Sequence, residues 1–268
     1  MAGIIAAGQE LWESRISSQG EREVIDAKDI YYRDLNDKIR ELAEEGKKEI
    51  ELRNVNGQRY LGTGLSGKDI RIYIYGTPGN DLGAFMDGPM LEVFGNGQDA
   101  VANTMNSGKV IIHGHAGDVL GYGMRGGKLH IRGKVGYRVG IHMKAYEDQA
   151  PVIIAGGTAG DFFGEYMAGG ILVLLGLDRK PGEKIAGNWC GTGIHSGVIY
   201  LRGEVEAHQL GKEVGVVEKI PEKEMDELIA LLKDYCRDFS LDLTEILKSP
   251  FLKLYPYSTR PYGRLYAY

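Results

Sequence analysis

The side chains best suited to metal ligation or proton transfer near neutral pH are His113, His115, His130, His142 and His195. No carboxylate–histidine spacing of a metal site accompanies them, so they read as outward-facing residues on a scaffold. His130 falls one repeat on from Ile111 rather than from His113. A second set, Asn80, Asp99, Asp118 and Asp161, occupies one step of a recurring turn, with Tyr137 at that step in a further copy. Carboxylates stacked about 5 Å apart repel unless a cation such as calcium bridges them. Asp and Asn also satisfy turn backbone by themselves, and that reading is preferred. GTGLSG at 62–67 matches G-x-G-x-x-G, but it leads into the strand-like KDIRIYIYG rather than into a helix whose N-terminus would meet a pyrophosphate. Cys190 and Cys236 stand far apart outside any C-x-x-C, which removes iron–sulfur and zinc-knuckle ligation by this chain alone and leaves two free thiols. No G-x-S-x-G occurs, and no Ser, His and Asp pattern forces a triad. No catalytic, cofactor-binding or metal-ligating residue is therefore assigned.

The elements that must position these residues repeat. Four aliphatic strands end on glycines 76, 95, 114 and 133: IYIYG, LEVFG, VIIHG and LHIRG. VIIAG (152–156), LVLLG (172–176) and IYLRG (199–203) continue at looser steps. Each strand has two alternate aliphatic positions: Ile72/Ile74, Leu91/Val93, Val110/Ile112, Leu129/Ile131, Val152/Ile154, Leu172/Leu174 and Ile199/Leu201. Alternate residues share a face, so these pairs predict one buried face. After each strand, glycines recur as G-x-x-G-x-x-x-G in GTPGNDLG (76–83), GHAGDVLG (114–121), GKVGYRVG (133–140) and GTAGDFFG (157–164), with Gln98 and Ala102 replacing two of them in the copy at 95–102. Units of about 20 residues cannot bury an apolar face alone, and they stack. The expected fold is mainly β, a parallel β-helix of about seven rungs with helical caps.

The 40 glycines among 268 residues are roughly twice ordinary usage, yet no G-X-Y period exists and hydrophobic content is 43%. Net charge is −5 with pI near 5.8, against nucleic acid or anionic membranes as partners. No run of about 18 apolar residues occurs, and the N-terminal MAGIIAAG is too short for a signal peptide. A cytoplasmic protein is expected.

The division expected is 1–56 as an N-terminal segment with a capping helix, 57–203 as the β-helix, and 204–268 as C-terminal helices with an aromatic tail. Asp34 can cap the first helix, whose Leu35, Ile39 and Leu42 share a face and whose stop is Gly46. EIELRNV (49–55) reads as an earlier, irregular rung. Ile153, Ala155, Val173 and Leu175 make rungs five and six apolar on both faces, so either the C-terminal helix or another subunit must cover them. Residues 177–197 read as a polar excursion of the kind that carries binding in solenoids. Pro221 opens a helix with Met225, Leu228, Ile229, Leu232 and Tyr235 on one side, and a shorter helix spans 243–247. The tail FLKLYPYSTRPYGRLYAY is expected to lie in a groove of this chain or a neighbour.

The glycine repeat, with RNVNGQRYLGTGL (53–65), YGTPGNDLGAFMDGP (75–89), GDVLGYGMRGGK (117–128) and GGTAGDFFGEYMAGG (156–170), resembles the C-terminal β-helix domain of the glutamate synthase large subunit. IDAKDIYYRDLNDKIREL (25–42) is similar to the start of that domain, and the likeness spans roughly 25–215. It implies a right-handed parallel β-helix without catalytic residues, bracing a glutaminase-type amidotransferase against a synthase chain that carries FMN and an iron–sulfur cluster. It further implies a split enzyme, with this chain a scaffold subunit that itself holds no cofactor. Related β-helices are the C subunit of formylmethanofuran dehydrogenase, its formyltransferase/hydrolase relative and a subunit of N-methylglutamate synthase, so a complex of those types is the alternative. A left-handed β-helix acyltransferase, working as a homo-oligomer, is a second alternative.

Overall fold

A computed structural model describes residue 12 and residues 14–257. Strands β1 (Ile16–Gln19), β2 (Arg22–Asp26), β3 (Glu49–Asn56), β4 (Arg71–Thr77), β5 (Asp87–Phe94), β6 (Ser107–Ile112), β7 (Lys128–Ile131), β8 (Val152–Ala155), β9 (Ala168–Leu174) and β10 (Ser196–Arg202) follow one another across a single sheet. From β2 to β10 every neighbouring pair is parallel. The fold is a parallel β-solenoid.

In-register stacking builds two inward columns, Ile72–Leu91–Val110–Leu129–Ile153–Leu172–Ile199 and Ile74–Val93–Ile112–Ile131–Ala155–Leu174–Leu201. All are fully buried in one continuous core. The expected face is therefore correct except at β8, where Ile153 and Ala155 point inward and Val152 and Ile154 outward. Two adjacent glycines cause the slip: Gly157, not Gly156, takes the place of Gly133, with its N–H donating to the Gly133 carbonyl. A one-residue shift exchanges the faces of a strand.

Each rung turns through three left-handed residues at alternate positions. The corners are Tyr60/Gly62/Gly64, Asp81/Gly83/Phe85, Ala100/Ala102/Thr104, Val119/Gly121/Gly123, Arg138/Gly140/His142, Phe162/Gly164/Tyr166 and Trp189/Gly191/Gly193. The middle residue faces the core, and a Cβ at Gly140 would stand 2.7 Å from a Leu172 methyl. Packing and positive φ together explain why glycine fills that column except at Ala102. The seventh corner corrects the expected polar excursion. Within 177–197, Ile185, Ala186, Cys190 and Ile194 join the core, and GNWCGTG (187–193) is another turn of the solenoid.

Both ends are covered. At the first end α1 (Tyr32–Glu44) buries Leu35, Ile39 and Leu42, with left-handed Gly46 beyond its end. Asp34 does not cap it; the helix starts at Tyr32, and Asp34 sits in the first turn, where a carboxylate still favours the helix dipole. β1 and β2 form an antiparallel pair around Gly20 that the sequence pattern did not suggest. At the other end β11 (Val214–Val217), helices α2 (Glu222–Phe239) and α3 (Leu243–Leu247), and β12 (Phe251–Pro256) follow. β12 lies antiparallel between β10 and β11, so the start of the expected groove-bound tail is a strand of the main sheet. Residues 258–268 and the apolar N-terminal run lie outside the described residues.

Candidate functional site

The outward face of the sheet and the corners carry the polar chemistry. Among the described residues no group of His, Cys, Asp or Glu is arranged to hold a metal ion. The turn acids instead bind backbone: Asp99 Oδ1 accepts the Asp118 N–H at 2.9 Å, Asp118 Oδ1 the Tyr137 N–H at 2.8 Å, and Asp161 Oδ1 the Asn188 N–H at 2.7 Å. Three residues earlier in the turn a second column repeats the device, with Asn96 Oδ1 accepting from His115 N–H and His115 Nδ1 from Lys134 N–H. Each side chain thus ties its own rung to the next, the turn reading in a cross-rung form. In the 62–67 glycine triplet all three glycines are left-handed and β4 follows, so the helix a dinucleotide site requires is absent there.

Helix α2 covers the outer face of β8–β10. Leu228, Leu232, Tyr235 and Cys236 pack on Val152, Ile154, Val173, Leu175 and Tyr200, so the cover is the chain's own helix. Tyr235 donates to the Ile131 carbonyl at 2.9 Å. Its hydroxyl fills the space in front of Gly156, where a Cβ would collide with it.

At the edge of this helix lies an ionic cluster that sequence spacing could not reveal. Lys109 Nζ meets Asp234 at 3.1 Å and Asp238 at 2.7 Å, and Lys128 Nζ meets Asp234 at 2.6 Å. His130, expected on the exterior, is fully buried beneath the helix, with Nδ1 2.5 Å from Asp238 Oδ2 and Nε2 without a partner. Two lysines already balance two aspartates. Burial pushes the His130 pKa down against the opposing pull of Asp238, so a neutral ring donating through Nδ1 fits the site. Burial would raise Asp234, but hydrogen bonds from Lys128 and Lys109 outweigh it and hold that carboxyl at about 2.

Of the remaining expected histidines, His115 serves the turn column above, His195 is exposed just before β10, and His113 and His142 lie in ring contacts. His113 stacks on Phe94 at 4.8 Å and meets Glu92 at 2.8 Å. His142 stacks on Tyr166 at 5.5 Å. Both thiols are buried, and burial disfavours their thiolates, pushing Cys190 up to about 12 and raising Cys236.

The family model for the GXGXG motif matches residues 32–256, the whole span from α1 through β12. The chain belongs to the GXGXG-motif family. G-x-G spacing occurs at three of the left-handed corners, Gly62/Gly64, Gly121/Gly123 and Gly191/Gly193. The uncharacterized protein MJ1350 of Methanocaldococcus jannaschii is 50% identical over 253 residues, covering 92% of this chain and 97% of the relative. Among solved structures, a chain of the formyltransferase/hydrolase complex of Methylorubrum extorquens, determined with methylofuran, matches with a TM-score of 0.57. It covers 87% of this chain and 90% of that one at 19% identity, a likeness of fold.

Proposed function

We propose that this GXGXG chain is a non-catalytic scaffold subunit of a multi-chain enzyme, with its partners drawn from a formylmethanofuran-dehydrogenase-like or formyltransferase/hydrolase-like assembly. The observation that carries the scaffold role is the fate of the polar side chains. The turn carboxylates accept rung-to-rung N–H donors, and the one buried histidine pins a helix to the sheet. These groups hold a shape and leave the outer surfaces as the functional part. The fold likeness to a chain of a formyl-transferring complex, running nearly end to end in both, supports the choice of partners.

Glutamate synthase is the second reading. It is favoured by the 25–42 segment, which forms the end of β2, a turn and the α1 cap over the first rung. There, a glutaminase-type chain and an FMN and iron–sulfur chain would flank this one.

Purification of the tagged protein from its native cells, with mass spectrometry and an absorbance spectrum of the eluate, tests both. A pterin-metal or formyltransferase chain supports the first reading. A glutaminase-like chain with a flavin spectrum supports the second. A lone homotrimer that transfers acyl groups from acyl-CoA would overturn the scaffold role.

A further inference from the structure

The outer two columns of the corners are free of the core contact that demands glycine in the middle one, and Gly64, Gly123 and Gly193 show that glycine fits there. On the later turns the chain instead places large rings. Phe162, Tyr166 and Trp189 hold φ of 64°, 50° and 57°, and His142 54°. A bulky side chain in this region carries a backbone cost that glycine avoids. Burial compensates only in part: Phe162 and Tyr166 are half-buried, whereas His142 is exposed, Trp189 is 49% exposed and the neighbouring Tyr122 42%. They form two ring groups: Phe162 stacks on Trp189 at 5.0 Å, and His142 stacks on Tyr166 at 5.5 Å while Tyr122 meets His142 edge-on at 5.8 Å. Arg138 joins them, lying over the Phe162 ring at 4.8 Å and bridging to Glu165 at 2.6 Å.

The charge around this ridge opposes that of the whole chain. Residues 119–146 contain Arg125, Lys128, Arg132, Lys134, Arg138 and Lys144 and no Asp or Glu, and with the flanking Asp118, Glu147 and Asp148 the stretch remains basic within a protein of net charge −5. Lys128, Arg132 and Lys134 are neutralised by Asp234, Asp178 and Glu183 from elsewhere. Arg125 and Lys144, exposed on adjacent turns beside Tyr122 and His142, have no acidic partner among the described residues. Aromatic rings and arginine at the centre with unpaired cations at the rim is the composition of a protein-binding hot spot.

Resting on the subunit reading above, we propose that this corner ridge is the docking surface for an acidic face of a partner subunit. Complementary charge steers the encounter, and the stacked rings supply the desolvated centre.

Strain makes the test discriminating, because glycine at these positions removes the ring and relaxes the backbone together. The partner chains recovered by native purification are prepared separately and titrated against wild type, the Phe162→Gly/Trp189→Gly variant and the Arg125→Glu/Lys144→Glu variant. The glycine variant is expected to melt no lower than wild type yet bind roughly tenfold or more weakly. The charge variant is expected to associate more slowly at low salt, with the difference shrinking as salt is added. Wild-type affinity in the glycine variant, or a lowered melting temperature, would overturn the proposal, the latter showing that the rings serve the fold. Binding of a single-stranded oligonucleotide at this ridge, or a dimer of this chain that the glycine variant dissociates, would overturn it too. Recovery of no defined partner by wild type would instead remove the subunit reading on which it rests.

Discussion

Strands β8–β10 and strands β4–β6 belong to one sheet and share a register, yet their outer faces meet water in different ways. On β8–β10 the outer residues are Val152, Ile154, Val173, Leu175 and Tyr200, and α2 lies over them. On β4–β6 they include Tyr73, Tyr75, Glu92, Phe94 and His113, with no helix among the described residues above Tyr75 and Phe94, which stay 40% and 38% exposed. The inner face is the same aliphatic column throughout. What separates the halves is thus the outer alternate residue alone. Branched aliphatics there leave an apolar surface that must be covered, whereas rings that stack along the ladder and a carboxylate paired with His, Glu92 with His113, satisfy one another in the open.

The largest expected effect sets the halves directly against each other. Leu232→Asp places an unpaired carboxylate among Val173, Tyr200 and their neighbours and is expected to cost about 4 kcal/mol in a urea titration. Phe94→Asp on the open half is expected to stay within about 1 kcal/mol. Equal losses would show that the open half is covered as firmly as the other.

Acid sharpens the contrast next, since the ionic cluster pins the covered half only. Burial holds the folded pKa of His130 below the 6.5 of an unfolded ring. Its contribution is therefore full above 6.5 and is lost as pH falls below that value towards the folded pKa. Asp234, at about 2 against an ordinary 3.8, contributes about 2 kcal/mol that is present above 3.8 and lost between there and about 2. Hydrogen exchange of α2 amides should accelerate in these two steps before the amides of β4–β6 respond. His130→Gln, which keeps a donor for Asp238, should remove the first step and retain the second. Simultaneous loss of protection in both halves would sink this account.

The repeat was legible because its causes are local. Inward aliphatics at alternate positions recur in every copy, and glycine recurs where a Cβ would meet a core side chain in all but the copy with Ala102. Twelve of the fourteen expected core positions are correct, and the two that fail, Val152 and Ile154, fail because Gly156 and Gly157 offer two anchors one residue apart. The turn at 187–193 escaped notice because residues inserted ahead of it stretch the period. The pinning of α2 was beyond sequence reasoning altogether. His130 and Asp238 are 108 residues apart, and only tertiary folding decides that an outward histidine becomes a buried one. The corner ridge was hidden for a related reason: aromatic residues scattered through 122–189 form a surface only once the solenoid stacks them.

The smallest effect lies in the open ladder and asks whether the two halves communicate. Tyr75, Phe94 and His113 stack at 4.7 and 4.8 Å, the spacing that neighbouring strands impose. Phe239, at the end of α2, then meets His113 edge-on at 5.3 Å. Because the rings are half exposed, their area term is small, and the stacking itself is expected to contribute about 0.5–1 kcal/mol in a Tyr75→Ala/Phe94→Ala cycle. Running the same cycle between Phe94 and Phe239, which touch only through His113, separates two pictures. A coupling near zero means the covered half is anchored by its own helix and ions, independently of the open ladder. A coupling as large as that of the direct pair means that the ladder and α2 behave as one unit through His113, so that the two halves do communicate.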